Sequence, residues 1–125
     1  MGTDDRDPLT GQIICCAIEV HRQLGPGLLE STYLSALVIE LELASLRYAR
    51  QVRFPVIYKG RAIGACRVDL IVEGRAIVEV KSVSRWDPVF EAQILTYLRI
   101  AQIPVGLLLN FNCRMLRDGI KRFVI

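Results

Sequence analysis

The stretch Cys66-Arg-Val-Asp69-Leu-Ile-Val72-Glu-Gly74-Arg-Ala76-Ile-Val-Glu79-Val-Lys81-Ser82 decides the fold. Residues 62–72 and 75–82 are rich in β-branched side chains and are interrupted by Glu73-Gly74, so they read as an antiparallel hairpin. In the first strand Cys66, Val68, Leu70 and Val72 alternate with Arg67, Asp69, Ile71 and Glu73. In the second, Ala76, Val78, Val80 and Ser82 alternate with Arg75, Ile77, Glu79 and Lys81. A two-residue turn pairs Val72 with Arg75 and sends the two apolar sets to opposite faces. A three-residue loop, Glu73-Gly74-Arg75, pairs Val72 with Ala76, gathers both apolar sets on one face and sets Asp69 directly across from Glu79. The apolar pattern selects the second register, in which Asp69, Glu79 and Lys81 converge on one surface.

Outward from this hairpin, Val52 to Tyr58, closed by Lys59-Gly60, supplies the first strand of a three-stranded meander. Upstream, Asp7-Pro8 offers a cap and a first-turn proline, and Leu9, Ile13, Cys16, Ala17, Val20 and Leu24 recur at helical spacing until Gly25-Pro26-Gly27. A second helix is expected from about Leu28 to Ala44, with Leu29, Tyr33, Ala36, Leu37, Leu41 and Ala44 as its apolar stripe. Downstream, Asp87-Pro88 opens a third helix to about Gln102, Pro104 to Phe111 suits a buried strand, and Ile120 to Ile125 a last short one. The order ααβββαββ predicts an α/β sandwich with a central mixed sheet flanked by helices.

Two carboxylates directly opposed across a hairpin repel one another unless something compensates them. A divalent cation does so, because one or two carboxylates, water and a substrate phosphate make a typical Mg²⁺ site. Lys81 then sits beside the pair, placed to orient the attacking water or help deprotonate it. Glu30 shares a helical face with Tyr33, Leu34 and Leu37, and Gln93 and Tyr97 share one with Phe90. Buried or half-buried, these polar groups need partners, and a cleft against the Asp69, Glu79 and Lys81 surface supplies them.

Composition narrows the class. The chain has 125 residues, 52% of them hydrophobic and 23% charged, enough for one core without disulfides or a structural metal and too apolar for disorder. A flexible acidic tail over residues 1–7 and a single domain over 8–125 are expected. No apolar run is long enough to span a bilayer, and the acidic start is unlike a signal peptide, which points to a soluble cytoplasmic protein. Cys15, Cys16, Cys66 and Cys113 lack CxxC spacing and are expected in the core or half-buried. The first seven residues carry a net −2, so residues 8–125 carry +5 of the chain's overall +3. Arginine makes up 13 of the 16 basic residues, clustered at Arg47, Arg50, Arg53 and at Arg114, Arg117, Lys121, Arg122, and either cluster suits a polyanion or a merely solvated surface. His21 is expected to pack or cap the Gly25-Pro26-Gly27 turn, and Trp86 to pack over the start of the third helix or stack on a base.

Gly27-Leu-Leu-Glu30-Ser-Thr-Tyr33, inside Leu24-Gly-Pro-Gly-Leu-Leu-Glu30, resembles the signature of the GxxExxY proteins. Asp69 followed by Glu79-Val80-Lys81 is similar to the core of the PD-(D/E)xK nuclease superfamily, with which that family is grouped, although Val68 stands where the superfamily name has proline. Gln93-Ile-Leu-Thr-Tyr97 resembles the Gln-xxx-Tyr element of several of its branches, and Val105 to Asn112 and Asp118 to Arg122 look like the family's C-terminal half. The resemblance implies a restriction-endonuclease-like fold and metal-dependent phosphodiester hydrolysis on DNA, or else RNA. Asp69, Glu79 and the Val80 carbonyl would ligate Mg²⁺ or Mn²⁺. Lys81 would position the water, Glu30 would approach the ion or its water shell, and Gln93, Tyr97 and Arg85 would hold the substrate. The alternative is an inactive member that keeps the fold as a nucleic-acid or protein interaction module. A domain this small is expected to rely on a second copy or a partner for selectivity.

Overall fold

The computed structural model describes residues 7–125, so the tail expected over residues 1–7 lies, but for Asp7, outside the described residues. The strands β1 (Tyr48–Tyr58), β2 (Arg61–Val72), β3 (Ala76–Lys81), β4 (Val105–Asn110) and β5 (Ile120–Val124) form one sheet in the order β1-β2-β3-β4-β5. β1, β2 and β3 make the antiparallel meander, β4 lies parallel to β3, and β5 returns antiparallel to β4. A parallel neighbour needs a crossover, and α3 (Val89–Ala101) provides it. The helices α1 (Pro8–Leu24) and α2 (Glu30–Leu43) cover the other face, so the order is the expected ααβββαββ. None of the described helices is long and apolar enough to cross a membrane.

Two cores follow from this layering. Tyr33, Leu37 and Leu41 of α2 and Ile13, Ala17 and Val20 of α1 bury against Leu70, Val78, Val80, Leu107 and Leu109. Ile94 and Leu98 of α3 bury against Val68, Ile71, Ile77 and Leu108. Each fully buried aliphatic side chain contributes roughly 1.5–3 kcal/mol.

Several boundaries shift for local reasons. Asp7 does not cap α1 with its side chain; its carboxylate instead meets Arg122 on β5 at 3.4 Å, while its carbonyl accepts the Thr10 hydroxyl at 2.9 Å. After Gly25 and Gly27, both at positive φ, α2 starts only at Glu30, so Leu29 and Ala44 fall outside it and are exposed. Its buried stripe is Tyr33, Leu34, Leu37, Val38 and Leu41. α3 starts at Val89, whose N–H is accepted by the Asp87 carboxylate at 3.0 Å. Cys15 is exposed on the outer side of α1, and Cys113 lies in a loop after β4 instead of in a strand.

Strict alternation along β2 also fails at one place. Leu70 and Val72 face α1 and α2, but Val68 joins Ile71 on the α3 side, so the side-chain pattern slips by one around Asp69. Opposite Asp69 on β1, between the pairs Arg50–Leu70 and Val52–Val68, Gln51 adopts φ +56°. A left-handed residue turns the strand locally, and the faces exchange across it.

The exit of β3 is fixed by Asn110 at the end of β4. Its Oδ1 accepts the Val83 N–H at 3.1 Å and the Asn112 N–H at 3.2 Å, and its Nδ2 donates to the Val83 carbonyl at 3.1 Å. The side chain thus extends the parallel ladder beyond its last pair, Lys81–Asn110. Asn110→Ala leaves those part-buried groups unpaired and is expected to destabilise the fold by roughly 2–4 kcal/mol in urea unfolding. Asn110→Asp keeps the acceptor but turns a carboxylate oxygen toward the Val83 carbonyl, so it is expected to destabilise as well.

Candidate functional site

The β2–β3 loop is the three-residue one, with Val72 paired to Ala76, Ile71 to Ile77 and Leu70 to Val78. Glu73 and Gly74 take positive φ in it, and the Glu73 carboxylate holds the Arg47 N–H at 2.6 Å. The next rung places Asp69 across from Glu79, and there side chains replace the backbone ladder. Glu79 Oε2 accepts the Asp69 N–H at 2.7 Å, and Asp69 Oδ2 accepts the Val80 N–H at 2.8 Å. Each carboxylate is therefore seated on the opposite strand, leaving its second oxygen for another partner. Glu79 is buried, with 6% of its surface exposed, and Asp69 is half-buried.

The convergence differs from a single flat surface. Glu79 and Lys81 lie on the α3 side, where the Lys81 ammonium sits 4.0 Å from Glu79 Oε1 and 4.6 Å from the Phe90 ring centroid. Asp69, at the slip in β2, borders a cleft of about 270 Å³ on the α2 side, shared with Glu30, Arg50, Gln51 and Arg67. The pair meets where β2 and β3 part, open to both helical layers.

Glu30 is exposed, not held within the apolar stripe. As the first residue of α2 its side chain extends back past the helix end, and Oε2 accepts the Ser82 N–H at 3.3 Å. Ser82, which the alternation put on the apolar face with no further role, also donates its hydroxyl to the Leu28 carbonyl at 2.6 Å. The Tyr33 hydroxyl donates to the Gly25 carbonyl at 2.5 Å and accepts the Leu28 N–H at 3.1 Å, while its ring stacks on Phe111 at 4.6 Å. Gly27, Glu30 and Tyr33 thus shape and tie one turn to the end of β3. The only sequence signal for this was their unusual spacing.

From α3, Tyr97 is half-buried, and the charges of both carboxylates reach its hydroxyl. Gln93 is exposed and makes no side-chain hydrogen bond among the described residues, because the buried stripe of α3 runs through Phe90, Ile94, Tyr97 and Leu98 and leaves Gln93 at its edge. Arg85 is exposed in the loop between β3 and α3. Trp86 packs edge-on against Phe90 and donates to Glu91 at 2.9 Å. His21 lies away from the carboxylates and bonds the Cys113 carbonyl at 2.8 Å, tying α1 to the loop after β4.

Electrostatics make the pair unusual. Burial, and then the Asp69 charge, push Glu79 from the ordinary carboxylate value of 4.5 up to about 7, against the opposing pull of the Asp69 N–H and Lys81. Burial also raises Asp69, although the Val80 N–H, Lys81 and Arg67 favour its charged form. Burial raises the Tyr97 hydroxyl, with Glu79, Cys66 and Asp69 adding to it. Among the described residues no three His, Cys, Asp or Glu side chains form a group able to hold a metal ion. Two hard oxygen ligands, supplemented by backbone, water and a substrate oxygen, nevertheless match the way Mg²⁺ is commonly held. Asp69 and Glu79 repel one another when both are ionised, and a divalent cation between them relieves that repulsion.

Because Glu79 binds its proton more tightly folded than unfolded, stability falls as pH rises from about 4.5 through about 7. In chelator, urea unfolding is expected to show a loss on the order of 3 kcal/mol across that window, with no further loss from Glu79 above it. Glu79→Gln is expected to flatten the profile and to exceed wild-type stability at pH 8. A wild-type stability that rises over the window contradicts the buried, repelled carboxylate.

A family model for the PD-(D/E)XK nuclease superfamily matches residues 7–123. No curated protein and no solved structure matches the chain. The matched span runs from the start of α1 into β5 and contains the whole carboxylate hairpin and the crossover helix. A five-stranded mixed sheet between helical layers is consistent with that fold. The chain belongs to the PD-(D/E)XK nuclease superfamily.

Proposed function

We propose that the protein is a divalent-metal-dependent nuclease of the GxxExxY group that hydrolyses phosphodiester bonds in DNA. The observation that carries this reading is the opposed pair of half-buried Asp69 and buried Glu79, mutually repelling and seated on reciprocal backbone N–H groups. A protein gains nothing in stability from such a pair. A site that must concentrate negative charge gains a cation.

Asp69 and Glu79 hold Mg²⁺ or Mn²⁺, with the Val80 carbonyl as a third protein ligand. When bound, the ion acts as a Lewis acid toward the phosphate and lowers the pKa of water. Lys81, steadied over the Phe90 ring, offsets negative charge that develops on the phosphate and orients the attacking water. Tyr97 contributes a hydroxyl that stays protonated beside the carboxylates and so donates to a phosphate oxygen. Gln93, one turn earlier and exposed, reaches substrate outside the site, as does Arg85. Glu30 holds the end of β3 through Ser82 and adds negative charge at the mouth of the cleft. No observation favours the inactive alternative, since every acidic and basic position of the core is kept.

Supercoiled plasmid, single-stranded DNA and RNA are incubated with Mg²⁺ or Mn²⁺ and followed by gel. Wild type is expected to cleave DNA only with the ion, and Asp69→Ala, Glu79→Ala and Lys81→Ala each to lose ~10²–10³-fold in rate. Tyr97→Phe is expected to lose less. A wild-type protein that cleaves none of the three substrates above the Asp69→Ala background overturns the proposal.

A further inference from the structure

β1 and β2 continue well past the sheet. β2 pairs with β3 only from Leu70 to Val72, so from Arg61 to Val68 its described pairing is with β1 alone. The result is a projecting two-stranded ribbon whose root is the Asp69 rung. From Arg47 to Val68 the chain carries Arg47, Arg50, Arg53, Lys59, Arg61 and Arg67 and not one Asp or Glu.

The faces of the ribbon differ. Val52 and Phe54, with Val68, pack toward α3. Arg53 and Arg67 are direct cross-strand partners and so share the other face, where Arg67 lines the cleft beside Asp69 and Glu30. Arg50 lines the same cleft and donates to Ser35 of α2 at 3.1 Å. Like charges placed directly opposite are unfavourable in a sheet, and both arginines are exposed with no ion-pair partner among the described residues. The second basic cluster is different. It lies on and before β5, at the opposite edge of the sheet, and two of its members are engaged, Lys121 by Glu91 and Arg122 by Asp7.

We propose that the Arg53–Arg67 face of the β1–β2 ribbon is the docking track for the nucleic-acid backbone. It binds phosphates through Arg53 and Arg67 and leads the strand down the α2-side cleft to Asp69. Arg50, braced by Ser35, lies between the track and the carboxylates. The nature of the ligand rests on the nuclease reading; the track rests on the unpaired arginine rung and the absence of any acid along the ribbon. Backbone binding of this kind is sequence-independent and salt-sensitive.

The test is the affinity of a short fluorescein-labelled DNA duplex of arbitrary sequence, measured in chelator as KCl is raised. The double variant Arg53→Gln/Arg67→Gln is expected to lower the slope of log Kd against log[KCl] by about two, as loss of two phosphate contacts requires. The affinity at low salt is expected to fall at least ~10-fold. Arg114→Gln/Arg117→Gln, at the other sheet edge, is expected to keep the wild-type slope. Removing the opposed charges is expected to leave Tm unchanged or higher, which separates lost binding from lost folding. A double variant with the wild-type slope, or a wild type that binds no duplex, overturns the track. Plasmid cleavage by the same wild-type preparation with Mg²⁺ or Mn²⁺ separates the two claims. Cleavage with an unchanged slope removes the track and leaves the nuclease. A reduced slope without cleavage leaves the track and removes the nuclease.

Discussion

Two carboxylates facing each other across neighbouring strands are a constraint that the rest of this fold accommodates. Asp69 and Glu79 repel, and burial sharpens the repulsion by removing the water that would screen it. They are held in place because each accepts an N–H that the interrupted ladder would otherwise leave unpaired. The side chains thereby replace a rung of sheet, and the strands part at that point. A backbone defect and a charge cluster are the same feature.

Each neighbouring element serves that gap. The loop Glu73-Gly74-Arg75 sets the register that brings the acids opposite. The α3 crossover lays β4 parallel to β3, and Asn110 clamps the chain two residues past Lys81. From one layer, Glu30 and Tyr33 tie the start of α2 to Ser82 and to its own preceding turn. From the other, Phe90 supports the Lys81 ammonium, and the half-buried Tyr97 hydroxyl feels the charge of both carboxylates. The sheet separates two apolar cores, and the Asp69–Glu79 rung is where polar groups from both sides reach each other.

Much of this was legible in the residues because a strand has a period of two. Only one register of residues 66–82 put the apolar sets together, and it carried Asp69 to Glu79 with it. Periodicity failed where geometry stops being ideal. The slip around Asp69 lies opposite a left-handed Gln51 on the partner strand, a conformation that nothing in its residue type announces. Helical spacing put Glu30 in an apolar stripe, but the helix begins at Glu30 and the side chain leaves the stripe. Gln93 shares a face with Tyr97 in principle, yet one turn of helix separates a half-buried hydroxyl from an exposed amide. The Arg53–Arg67 rung was out of reach for a different reason. Its pairing depends on the β1–β2 register, which contains an irregularity between Val56 and Ile57.

The account stands on a cation lying between Asp69 and Glu79, and anomalous diffraction from crystals soaked in Mn²⁺ observes that directly. The expected map has a manganese peak within coordination distance of the free oxygens of both carboxylates, lost in crystals of Asp69→Ala. A peak elsewhere, or none in crystals where both carboxylates are well ordered, contradicts it.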